Sequence, residues 1–296
     1  MSTTPPDLAD LRRHIDEIDD RLHELLIERA EIVGEVAVSK KINRKDGDIA
    51  FYQPAREAQI LRRLAARHRG ALPFASVVRI WRELLSATVR LETPFAVAVC
   101  APAEEPDLWD IARDHYGSHT PISACGSIDQ VIRAVTEGQA SVGVLPMPQE
   151  GDPDPWWCHV LSPEENEPRV IARLPFAARG NARGTGGEAL AIGHSTPQET
   201  GADRTLLVTQ SAVDIGRADF LKLLSSLGLA GSALASCEYV GGAFNLIEID
   251  GFLGLSDPRL NRFRTQLGAA LYRLLSIGGY ALPLPAAALA SGAAKV

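Results

Sequence analysis

No apolar run in the chain approaches the ~18 residues that a membrane-spanning helix requires. The opening MSTTPPDLADLRR lacks the charged-then-apolar order of a secretory signal. Cysteine is scarce: Cys100, Cys125, Cys158 and Cys237 stand far apart and none belongs to a CxxC pair. That spacing fits neither a zinc site nor a disulfide framework. The expectation is a reducing, cytoplasmic protein with no membrane anchor and no structural metal. Basic excess is also lacking. The net charge is −7, which argues against a nucleic-acid binder. No long repeat or low-complexity tract stands out beyond the alanine-rich tail.

The charge is unevenly shared. Residues 1–92 hold 16 Lys+Arg against 15 Asp+Glu, and the remainder holds 14 against 22. A near-neutral first part is still able to focus several cations on one pocket. At 296 residues the chain is long enough for about two or three domains.

The first part is helical by pattern. Leu8, Leu11, Ile15, Ile18, Leu22, Leu25, Leu26, Ile32, Val33 and Val36 follow three- and four-residue steps. Asp7 is placed to cap the start. The pattern meets no breaker until the polar turn at Asn43 to Asp48, which makes a rod of roughly 50 Å. Such a rod is too long for the core of a 90-residue unit, so its stripe is expected to bury against a second copy. A second helix is expected from Pro54 to His68 and a third from Phe74 to Leu91, ended by Thr93-Pro94.

The pattern then changes. FAVAVCA (95–101) and ASVGVLPMP (140–148) read as strands, with helices at Leu108 to Tyr116 and Ile128 to Glu137. Residues 149–168 and 177–188 read as loops. From Arg204 the order is strand, helix, a hairpin around Gly241-Gly242, a helix over DPRLNRFRTQLGAALYRLL (257–275), and a last strand at GGYALPLP. That is a βαββαβ, ferredoxin-like order. The expected units are residues 1–93, 94–200 and 201–290.

Several charges sit inside the helical part. Arg29 and Lys40 are eleven residues apart, about three turns plus 20°, so they share one face. Arg12 lies seventeen residues before Arg29, ~25 Å away along a straight helix. It can serve the same pocket only from a partner chain. Thr88 and Glu92 are four apart and face the same way. Cations at the margin of a core need anionic partners, and a dianionic ligand would supply them.

DLRRHIDEIDDRLHELLIERAEIVGEVAVSK resembles the first helix of the all-helical (type II) chorismate mutases, matching at Arg12, Ile18-Asp19, Arg29 and Lys40. Further along, Arg56-Glu57, Thr88 and Glu92 match as well, so the resemblance covers nearly all of residues 8–92. It implies an all-α, intertwined homodimer that converts chorismate to prephenate without metal or cofactor. It also implies roles. Arg29 and the partner's Arg12 would hold the two substrate carboxylates, and Lys40 would donate to the ether oxygen. Glu57 would accept from the ring hydroxyl, helped by the backbone near Gln53, and Arg56 would brace the cluster. The family often has aspartate at Gln53, serine at Thr88 and glutamine at Glu92.

IDQVIRAVTEGQASVGVLPMPQEG (128–151) resembles a stretch of prephenate dehydratases, and 204–285 resembles the regulatory ACT domain that follows them. The fold class implied is multidomain. An all-α three-helix mutase domain precedes a truncated α/β dehydratase-like segment and an α+β ferredoxin-like (ACT-like) domain. The dehydratase motifs are degenerate. PMPQEG stands for the proline–isoleucine–glutamate–asparagine–serine element, and GTGGEALAIG replaces the threonine–arginine–phenylalanine motif. The expectation is a mutase in aromatic amino acid biosynthesis that has lost dehydratase activity, with room for a small-molecule effector at the ACT-like unit. A bifunctional mutase–dehydratase and a non-catalytic regulatory partner of a pathway enzyme are the alternatives.

An ionised carboxylate cannot donate a hydrogen bond. Glu92 must therefore be protonated to assist at the ether oxygen, while Lys40 nearby favours its anion. The mutase rate is expected to fall as pH rises through the Glu92 titration, and the Glu92→Gln variant should lose that dependence. A pH–rate profile of the variant identical to the wild type's would remove the role.

Overall fold

A computed structural model describes residues 7–42, 52–101, 107–152, 155–158, 167–177, 179–180, 187–212, 215–239, 242–254 and 256–289. The polar turn expected over Asn43 to Asp48 lies outside the described residues.

Three helices come first: α1 (Leu8–Ile42), α2 (Pro54–Arg67) and α3 (Phe74–Glu92). The Ala9 amide donates to Asp7 Oδ1, as the capping argument requires. Pro54 opens α2 in the first turn, where its missing N–H costs nothing. The three helices do not share one core. Ala37 is the only buried residue of α1 among those described. Twelve large apolar side chains of α1 are each more than 40% exposed. Helices α2 and α3 instead bury Ala58, Leu61, Phe74, Val77 and Val78 together with Phe176 and Leu284. Those last two come from the second half of the chain, which completes the small helical core.

The rest is one mixed sheet with helices on it. Strands β1 (Val97–Cys100), β2 (Ile122–Cys125) and β3 (Val142–Pro146) run parallel, with β1 in the middle. Helices α4 (Asp107–Tyr116) and α5 (Ile128–Thr136) are their crossovers. Ser127 caps α5 by accepting from the Gln130 amide. Strands β4 (Arg169–Leu174) and β5 (Ala189–Gly193) add to β3 in antiparallel sense. Neither strand was expected from the sequence. Each is short and flanked by Pro- and Gly-rich stretches; they pair with each other across a long connection, and their other partners, β3 and β9, are distant in the chain.

The βαββαβ order is present. It consists of β6 (Asp203–Ser211), α6 (Arg217–Ser226), β7 (Gly231–Tyr239), β8 (Gly242–Asp250), α7 (Pro258–Leu267) and β9 (Leu271–Ala281). A last short turn of helix, α8 (Ala286–Leu289), follows. One boundary differs from expectation: α7 stops at Leu267, and the LYRLL run belongs to β9. Gly268 turns the chain with φ +52°, a left-handed value that glycine adopts freely. Pairing with β6 then claims the residues that follow.

The sheet order is β2-β1-β3-β5-β4-β9-β6-β8-β7, continuous through both units. The junction is the parallel contact of β4 with β9 at Val170 and Gly278. A Cβ at Gly278 would stand 2.1 Å from the Val170 carbonyl oxygen, so only glycine allows the two backbones to meet there. Side chains bridge the same seam. Arg173 donates to the Tyr280 hydroxyl at 3.1 Å, Tyr280 donates to Glu248, and Glu248 also meets Arg204.

The helical part is tied to this body by Arg62 on α2. Its guanidinium donates to Thr200 Oγ1 at 2.6 Å, to the Ala202 carbonyl at 2.7 Å and to the Leu282 carbonyl at 2.8 Å. Arg62→Ala is expected to cost about 2–3 kcal/mol. In urea this should lower the midpoint with an unchanged slope. A midpoint within error of the wild type would show that the clasp does not hold the body together.

Candidate active site in the helical domain

The sequence-derived candidates fall into three groups. The first is a cluster where α1 ends against α3. Lys40 Nζ lies 2.6 Å from Glu92 Oε2, with the two side chains 30% and 10% exposed. One turn before Glu92, the buried Thr88 hydroxyl donates to the Leu85 carbonyl at 2.9 Å, a local bond within the helix. Lys40, Thr88 and Glu92 thus lie at one end of the helical domain. Lys40 is not an open point charge there, because Glu92 partly neutralises it.

The second group is on α1 alone. Arg29 is half-buried, and its Nη1 is inaccessible with no hydrogen-bond partner. Burial lowers its pKa from the ordinary arginine value, though a guanidinium remains charged at neutral pH. Its position explains the burial. Leu8, Leu11, Ile15, Ile18, Leu22 and Leu25 step by three and four, and the same register continues to Arg29, Ile32 and Val36. Arg29 therefore occupies the apolar seam itself. Eleven residues is about 16 Å along the helix, a distance that two long side chains close by leaning toward one ligand from either end. Arg12 is exposed near the start of α1 and is not brought to Arg29 within one chain.

The third group is the entry to α2. Gln53 is the N-cap, with φ −126° and ψ 84°, and its carbonyl accepts the Glu57 amide at 3.2 Å. Arg56 is exposed. Glu57 turns inward and is buried, and Arg82 on α3 donates to its Oε2 at 2.7 Å. Burial pushes the Glu57 carboxyl up, and Arg82 opposes that rise. Arg82 is itself 4% exposed and stacks over the Phe176 ring at 5.3 Å. The site residues named from sequence do not include Arg82. The signal was present: Val78, Arg82, Leu85 and Val89 share one helical face, so Arg82 falls on an apolar stripe and needs a buried anion.

No group of three or more His, Cys, Asp or Glu among the described residues is arranged to hold a metal ion. No described helix is long and apolar enough to cross a membrane. Among the charged groups these helices hold at least partly buried are the Lys40–Glu92 pair, the Arg82–Glu57 pair and Arg29.

Residues 11–93 match the family model for chorismate mutase type II. A bifunctional chorismate mutase/prephenate dehydratase of Pseudomonas aeruginosa is 35% identical over 141 residues, covering 47% of this chain and 38% of that protein. One from Aquifex aeolicus is 28% identical over 145 residues, covering 48% and 39%. The match thus spans about two fifths of these relatives' length. Among solved structures, prephenate dehydratase from Streptococcus mutans aligns at 13% identity, covering 64% of this chain and 98% of that one, with a TM-score of 0.46. The Arthrobacter aurescens prephenate dehydratase in complex with L-Phe aligns at 16% identity, covering 67% and 95%, with a TM-score of 0.45. These structural likenesses are too slight to carry a functional argument. The match to chorismate mutase type II lies over residues 11–93, the three helices that carry these side chains.

Proposed function

We propose that the protein is a chorismate mutase working as an intertwined homodimer in aromatic amino acid biosynthesis. The observation that carries this reading is Arg29: a guanidinium set in an apolar seam, with a donor nitrogen closed to solvent and unpartnered, on the same face as Lys40. A dianion lying along that face answers both cations. The second copy of α1 covers the exposed stripe and brings its Arg12 to the far carboxylate.

The rearrangement of chorismate to prephenate is unimolecular. The ether C–O bond breaks as a new C–C bond forms, so no nucleophile, metal or cofactor is needed. The enzyme has two tasks. Bidentate guanidinium contacts from Arg29 and the partner's Arg12 hold the flexible dianion in its compact shape, which removes the entropy otherwise lost at the barrier. Lys40 stabilises the negative charge that grows on the ether oxygen. Glu57 accepts from the ring hydroxyl, with Gln53 supplying backbone and Thr88 lining the site, and Arg56 balances the carboxylates at its mouth.

The dehydratase reaction is read as lost, because the segments that resemble dehydratase motifs lack their signature residues. Between β3 and β6 the described residues supply only β4, β5 and one 3-10 turn. The names of the bifunctional relatives favour a second reading, in which dehydratase activity persists. Purified protein assayed separately on chorismate and on prephenate separates the two. Prephenate formation without phenylpyruvate supports the first, and phenylpyruvate from prephenate supports the second. All four cysteines are free thiols, including Cys158 and Cys237 whose sulfurs stand 3.4 Å apart, which fits a reducing, cytoplasmic setting. The ferredoxin-like unit is the place for a small-molecule effector.

Arg29→Ala should keep the oligomer and lower kcat/KM about 10²- to 10³-fold. Arg12→Ala should be comparably impaired. Mixing the two inactive variants after unfolding and refolding should restore about a quarter of wild-type activity, because half the dimers carry one intact site of two. No recovery on mixing would refute a site shared between chains. Leu22→Glu should yield a monomer by sedimentation and abolish turnover. A fully active monomer would end the dimer assignment.

A further inference from the structure

The second half of the chain reaches the mutase site through Arg82. We propose that Arg82 is a positioning residue that sets the charge and direction of Glu57, and that Phe176, beyond the mutase domain, holds Arg82 in place. This rests on the mutase reading and on the role given there to Glu57.

The geometry has four parts. Arg82 Nη1 is 2.7 Å from Glu57 Oε2, and both residues are buried. The Arg82 guanidinium lies 5.3 Å from the Phe176 ring centroid, a cation–π contact made away from water. Phe176 packs in the same core as Ala58, the residue next to Glu57. The chain entering α2 is fixed as well, because the Ser195 hydroxyl donates to the Tyr52 carbonyl at 2.6 Å and the Tyr52 ring is buried against Phe95 and Tyr116. Residues 52–57 are therefore held on three sides by residues beyond 93.

A carboxylate in this setting has two choices. Without a cation, burial favours its protonated form, which accepts a substrate hydroxyl poorly. Arg82 at hydrogen-bond distance works against that burial in favour of the ionised form, and it engages one of the two oxygens. The remaining groups that face this pair are the Tyr52 hydroxyl at the entry to α2 and the Tyr116 hydroxyl on α4. His115 on α4 faces Arg82. Burial holds both phenols protonated, and burial with Arg82 nearby holds His115 neutral. None of the three replaces the guanidinium as Glu57's counter-charge.

The test is the pH dependence of kcat/KM on chorismate in the full-length protein. Arg82→Gln should move the acid limb about one pH unit or more toward neutrality. Arg82→Lys, which keeps the charge, should restore most of the wild-type limb. In a Glu57→Gln background, Arg82→Gln should add no further loss. Phe176→Leu keeps an apolar side chain in the core and removes the ring. It should lower kcat/KM several-fold in the wild-type background and not in the Glu57→Gln background. This pair carries the test if Arg82→Gln does not fold. An unshifted limb in folded Arg82→Gln, or a Phe176→Leu loss of equal size in both backgrounds, overturns the assignment while leaving the mutase reading intact. No turnover by the wild type would instead defeat the mutase reading itself, and this assignment with it.

Discussion

A helix of 35 residues whose apolar stripe is left largely uncovered by the described residues of its own chain is the constraint around which the helical domain is arranged. Burying a large aliphatic side chain is worth about 1.5–3 kcal/mol, and α1 leaves twelve large apolar side chains substantially exposed. Soluble monomers do not carry so continuous a patch without use for it. The stripe's register also decides where charge can go. A residue in the seam is withdrawn from water once the seam closes, and Arg29 is such a residue. The same feature that asks for a second helix therefore asks for an anion beside it.

The other two helices answer a different constraint. They are amphipathic and short, and between them they cannot close a core. Phe176 and Leu284 fill it from the second half, and Arg62 clasps two stretches of chain, at Thr200 and Ala202 and at Leu282, to fix α2 there. The helical domain is thus divided, with α1 facing outward and α2 and α3 bound to the body. That body is itself a single sheet, because Gly278 lets β9 approach β4 closely enough to join the two units. Displacement of the ferredoxin-like strands therefore bears on α2 through Leu282 and Ala202, both Arg62 partners.

Much of this was legible in the residues because it depends on local pattern. The three helices lie within a residue or two of where periodicity, Pro54 and the Thr93-Pro94 break put them, since each signal acts over one turn. The βαββαβ order was legible for the same reason. Strands β4 and β5 were not, because RVIARL and ALAIG are too short to declare a period, no tight turn joins them, and their outer partners β3 and β9 are distant in the chain. LYRLL was misread for a related reason: its apolar steps suit a helix, but a strand partner outweighs local preference. Arg29, Lys40, Thr88 and Glu92 were legible from spacing on helices. Arg82 was passed over because an arginine between tryptophan and glutamate looks like a solvated face until its place in the apolar stripe is counted.

The contact between Lys40 and Glu92 shapes how the site can work. At 2.6 Å the ammonium is aimed and held, which lowers the entropic cost of using it. The same contact spends part of its field on a carboxylate, and a site that must stabilise developing negative charge gains least from a cation already neutralised. An ammonium has three N–H donors, so an anion brought beside Lys40 can share it with Glu92 without breaking the pair, at the cost of holding two negative charges close together.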